Sequence, residues 1–186
     1  MHIRTTIKAL ALATGVVLSA HALAQPRPAA PAAPAGPVEL VRSGDWAAYS
    51  VTDAQRNRSC YALATPRTAD PAVGPRRDPT NMFITARPRQ NVRNEISIVI
   101  GYVFQPNSAA NIEVVATAGN QRFAMITRDR AAWVENPAQE TQMIAAMRAG
   151  REMIVRGTSS RGTATTDRYS LTGLGAVLDR IAADCR

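Results

Sequence analysis

Along the first two thirds of the chain, apolar positions alternate with polar ones instead of recurring at helical spacing. The clearest run is EISIVIGYVF (95–104), where Ile96, Ile98, Ile100, Tyr102 and Phe104 share one face and Glu95, Ser97 and Gly101 the other. WAAYSV (46–51) and CYALA (60–64) are short β-prone runs separated by the polar turn TDAQRNRS, and MFITA (82–86) is closed by Arg87-Pro88. IEVVATA (112–118), Gly119-Asn120 and RFAMIT (122–127) read as a hairpin, which AAWV (131–134) can extend.

Then the period changes. Asn136-Pro137-Ala138-Gln139 offers an N-cap, a proline at the first helical position and a capping-box glutamine. Met143, Ile144 and Met147 follow at helical spacing, Arg148 suits the helix dipole, and Gly150 supplies a stop. EMIVRGT (152–158) and TATTDRYSL (163–171) flank Ser159-Ser160-Arg161-Gly162 as a second hairpin. Leu174, Val177, Leu178 and Ile181 form the stripe of a last amphipathic helix, with Cys185 just past its end. These elements predict a mainly β fold, an antiparallel β-sandwich or curled barrel with two short helices near the C-terminus. Residues 38–186, roughly 150 in number, suffice for one domain with one core.

The N-terminal segment stands apart from this domain. Arg4 and Lys8, an apolar run over 9–20 and Ala22-Leu23-Ala24 have the layout of a signal peptide over 1–24, too short an apolar run for a membrane span. Residues 25–37, QPRPAAPAAPAGP, read as a disordered, polyproline-like leader. An exported protein is expected, resident in the periplasm, presented at the outer surface or secreted.

Removal of residues 1–24 changes the chemistry available. Lys8 is the only lysine, and both histidines, His2 and His21, lie in that segment. Of 22 basic residues, 20 remain, all arginine, against 14 acids, a net charge of +6. A serine nucleophile paired with His or Lys, a lysine Schiff base, a Walker-type phosphate loop and His-containing zinc sites are all excluded. No metal site or cofactor is expected. Paired carboxylates remain a catalytic route, but no pair is marked by spacing, and surface solvation is the simpler reading. The sequence pI near 10.7 raises nucleic-acid binding, yet export removes that partner and 5% aromatic content offers little stacking platform.

Two cysteines, Cys60 and Cys185, form an even pair that in an exported chain reads as a disulfide. The bond would close a loop of about 125 residues, worth up to ~5 kcal/mol in the chain-entropy picture. Two groups of arginines are candidate anion- or partner-binding residues: Arg87, Arg89 and Arg93, and Arg156, Arg161 and Arg168 around the last hairpin. Guanidinium groups pair bidentately with phosphate, sulfate or carboxylate. The same residues also read as an ordinary hairpin, with Gly157 and Gly162 serving the turn, threonines the strands, and arginines solubility.

Several stretches carry a resemblance: Ser43-Gly44-Asp45-Trp46, Cys60-Tyr61, RPRQNVRNEISIVIGYVF, and MIAAMRAGREMIVRGTSSRGTATTDRYSLTGLGAVLDRIAADC. From about Val38 to Cys185 the chain resembles the invasion-associated locus B family. That resemblance implies an exported β-rich protein, an association with host-cell invasion in some members, and a cysteine pair mapped onto Cys60 and Cys185. It carries over no catalytic residues. The expected function is a non-enzymatic exported binding protein acting on an unknown protein or on an anionic envelope or host-surface ligand. An envelope-maintenance or assembly factor of chaperone type is the alternative, and a carboxylate-only hydrolase the third reading.

Overall fold

The computed structural model describes residues 36–186, so the expected signal peptide (1–24) and nearly all of the expected leader (25–37) lie outside the described residues. The strands are β1 (Val38–Ser43), β2 (Trp46–Thr52), β3 (Arg58–Ala64), β4 (Thr68–Asp70), β5 (Asn81–Arg87), β6 (Val92–Val99), β7 (Ala109–Val115), β8 (Gln121–Arg128), β9 (Ala131–Trp133), β10 (Glu152–Thr158) and β11 (Ala164–Ser170). Helix α1 (Pro137–Ala149) precedes the last hairpin, and α2 (Leu174–Asp184) follows it.

The eleven strands form one antiparallel sheet in the order β1-β2-β3-β5-β6-β9-β8-β7-β10-β11-β4. A single continuous sheet decides between the two expected architectures: it is curled and not closed. Its two ends approach each other. The Trp46 indole of β2 donates to the Ser170 carbonyl of β11 at 2.9 Å. The β1–β2 turn also lies against the loop before α2, where a Cβ on Gly173 would sit 2.0 Å from the Ser43 carbonyl oxygen.

Alternation decides which face is buried. Cys60, Ala62 and Ala64 of β3, Met82, Ile84 and Ala86 of β5, Ile96 and Ile98 of β6, and Ala110, Ile112 and Val114 of β7 are all at most 5% exposed. Both helices join this same core, α1 through Met143, Ile144, Ala146 and Met147 and α2 through Leu174, Val177, Leu178 and Ile181. α2 packs on β1, β2 and β3, and α1 on β6 and β8. The inward positions of β2 and β3 beneath α2 include Ala48, Ala62 and Ala64, small side chains that leave room for the helix.

Two local expectations need correction, and a third holds for a different physical reason. The run 95–104 is not one strand, because Gly101 turns at φ +80° with its Cα close against the Asp78 carbonyl, although Ile100, Tyr102 and Phe104 stay buried. Asn136 caps α1 by accepting from the Gln139 backbone N–H at 2.8 Å, but the Gln139 side chain donates to the Ala124 carbonyl instead of completing a capping box. Gly150 ends α1 in extended geometry, and a Cβ there would meet Val114 at 2.6 Å and Leu171 at 2.8 Å, so packing and not a left-handed turn selects it.

Candidate functional site

The disulfide is present: Cys60 on β3 is bonded to Cys185, with Cα atoms 6.0 Å apart. It ties the end of α2 to the buried face of the sheet.

The six arginines fall into different environments. Arg156 and Arg168 lie on the outward face of neighbouring strands, and each is held by an acid. Arg156 donates to Glu113 at 2.9 Å and Arg168 to Glu152 at 3.0 Å. Hydrogen bonds from Asn120 and then Arg156 hold the Glu113 carboxyl below the usual glutamate range. Arg161, in the β10–β11 turn, reaches the Arg76 carbonyl at 3.5 Å. At the β5–β6 connection, Arg87 is paired with Glu95 and bonded to Gln90, while Arg89 donates to Asn57. The Arg93 side chain makes no hydrogen bond or ion pair among the described residues. The hairpin stands as expected, with most of its positive charge answered locally.

Arg93 lines an open groove of about 500 Å³ between the start of β6 and the two helices. Ala86, Ile144, Leu178 and Ile181 form its apolar floor, and Cys185 of the disulfide lies in its wall. Arg148 and Arg186 complete the polar rim, with Asn91 and Asn94, and no lining side chain is acidic. Arg148 in the last turn of α1 and Arg186 just past α2 sit where helix dipoles favour cations. No helix end accounts for Arg93. Arg148 donates to Asp179 at 2.9 Å, but that carboxylate is 72% exposed, so the pair holds the guanidinium only weakly.

A second constellation lies inside the sheet. Arg77 is paired with Asp167, both side chains at most 3% exposed. Arg77 also donates to the Pro71 carbonyl at 3.0 Å and stacks over Tyr102, 5.3 Å from the ring centre. Burial pushes the Asp167 carboxyl up, with Arg77 pulling the other way, and burial also raises the Tyr169 phenol. Sequence reasoning did not single out this pair. The only signal was strand parity, which places Thr165, Asp167 and Tyr169 on one face of β11. Arg186 was missed too, and Arg148 was read only as a dipole partner.

The model of the invasion associated locus B (IalB) protein family matches residues 46–182. The chain belongs to the IalB family. Among solved structures, it is similar to invasion associated protein B from Bartonella henselae at 13% identity and a TM-score of 0.55. That alignment covers 78% of this chain and 96% of the other, and at this identity it shows the shared fold. No curated protein matches the chain. In this IalB-family chain the matched region contains Cys60, Arg93, Arg148 and the whole Arg77–Asp167 pair, whereas Cys185 and Arg186 lie just beyond it. Among the described residues, no helix is long and apolar enough to cross a membrane.

Proposed function

We propose that this protein is a non-enzymatic, exported binding protein that engages an anionic component of the bacterial envelope or of a host surface. The observation that carries this reading is the groove beside α1 and α2, whose charged rim is entirely arginine above an apolar floor. Arginine pairs with phosphate and carboxylate groups, and an excess of positive charge draws such surfaces at long range. The absence of any Asp or Glu side chain from the groove's lining supports a binding role over acid–base hydrolysis there. The Cys60–Cys185 bond is compatible with an oxidising compartment. The Bartonella protein is named for an association with invasion, and contact with a host surface is the corresponding proposal for this chain.

The test is binding of labelled residues 25–186 to envelope vesicles and to host cells at low and near-physiological salt. Saturable binding to one surface that persists at physiological salt is expected. Equal binding to both that vanishes with salt would reduce the positive charge to simple screening behaviour and overturn the reading.

The assembly-factor alternative is favoured by a different feature. Among the described residues, edge strand β1 has no partner on its outer side, and beside it Tyr49, Tyr61 and Phe83 form a half-buried outward row with ring centres 5.4 and 5.9 Å apart. An extended client could add to that edge. Suppression of aggregation of an unfolded outer-membrane protein, lost on placing a proline at Leu40, would bring this reading to the front.

A further inference from the structure

We infer that the groove takes one alkyl chain carrying a single anionic headgroup, a carboxylate or a phosphate. This rests on the binding-protein reading and names its ligand class. The floor of Ile144, Leu178 and Ile181 is apolar and continuous with the core, and the volume of about 500 Å³ lies in the range of small-molecule sites. A purely polar anion would leave that floor wet, and a neutral chain would leave Arg93 unanswered. A cationic chain would meet three guanidinium groups and no acidic side chain. An amphiphile with its chain along the floor and its headgroup at Arg93 satisfies both halves of the groove. Arg148 can swing to the headgroup because its partner Asp179 is exposed. The headgroup could belong to a free fatty acid or to a phosphorylated lipid; the shared chemistry is an anion on a chain.

The experiment titrates residues 25–186 with decanoate, decyl phosphate and decyltrimethylammonium, each below its micelle concentration, by calorimetry. Saturable binding of one or both anions at one per protein is expected, with no saturation by the cation. Affinity should rise about fourfold per added methylene until the groove is full. Preference for decanoate assigns the fatty-acid source, and preference for decyl phosphate the phosphorylated one. Ala182→Trp places a bulky ring at an exposed position of the groove and should abolish binding. Arg93→Ala should weaken binding about tenfold, the loss of one charge-assisted contact. Arg128→Ala, an exposed arginine on β8 outside the groove, should leave it unchanged. Equal effects of the Arg93 and Arg128 substitutions, or saturable binding of the cation, would overturn the inference. So would undiminished binding by a folded Ala182→Trp protein. If the alkyl anions fail to bind while salt-resistant binding to vesicles persists, the inference falls and the binding-protein reading stands.

Discussion

Replacing Asp167 by alanine isolates the cost of an unpaired charge inside this sheet. The Arg77 side chain is 3% exposed, so removing Asp167 leaves a buried guanidinium without its counter-ion. The remaining acceptors are the Pro71 carbonyl at 3.0 Å, the Thr80 hydroxyl at 3.2 Å and the Ile100 carbonyl at 3.4 Å, all neutral. Breaking a buried pair in this way costs about 3–5 kcal/mol. At about 2–4 °C per kcal/mol for a domain of this size, the melting temperature should drop by about 6–20 °C. Removing both charges should behave differently. The Asp167 carboxyl is raised by burial in spite of Arg77, so at neutral pH desolvation outweighs the attraction of the pair. Arg77→Met with Asp167→Leu should therefore be neutral or stabilising by about 1–4 kcal/mol. A raised carboxyl contributes stability that is fully present below its ordinary value of 3.8 and is lost as pH rises through the folded-state value. The advantage of the double variant over the natural chain should thus grow between pH 3.8 and neutrality. Urea unfolding of the natural chain, Arg77→Met, Asp167→Leu and the double variant, with the disulfide intact, gives the cycle, and Asp167→Ala is measured beside them. A double variant that loses the sum of the two single losses, or an Asp167→Ala loss below about 1 kcal/mol, would refute the reasoning.

Three further outcomes follow from other parts of the fold. Alkylation without reductant should label neither Cys60 nor Cys185, and reduction should expose both thiols and cost up to about 5 kcal/mol of stability; labelling of both before reduction would contradict the bond. Gly157→Ala should cost about 1–3 kcal/mol by overpacking, since its Cβ would meet the Tyr102 hydroxyl at 2.6 Å and the Phe104 ring at 2.9 Å. Tyr102→Phe should recover part of that loss, whereas equal losses in both backgrounds would point to another cause. Glu113, lowered by its bonds to Asn120 and Arg156, contributes stability present above pH 4.5 and lost as pH falls through its folded-state value. Glu113→Gln should therefore flatten the loss of stability below pH 4.5, and an unchanged acid profile would count against that role.

The alternation of side chains was enough to place most of the ladder. Wherever one face of a strand meets the core and the other meets water, the period of two is written into the residues, as in β3, β5 and β7. The same logic located both helices, because their buried stripes recur at helical spacing. It failed for β1 and β4, edge strands that are largely exposed and so carry no clear alternation. It also misread Gly157, which is no turn residue but a gap in β10 filled by Tyr102 and Phe104; Gly162, at φ +80°, is the turn residue. Composition alone removed histidine and lysine chemistry from the chain beyond residue 24, and an even cysteine count together with the expected export suggested the Cys60–Cys185 bond. What remained belonged to tertiary structure. Arg77 and Asp167 are 90 residues apart, and their meeting depends on the curl of the whole sheet. The groove unites Arg93, Arg148 and Arg186 from a strand and two helix ends, and only packing distinguishes Arg93 from Arg87 and Arg89 beside it. Local pattern records which side of an element is buried; which elements then face one another is decided by the packing of the chain as a whole.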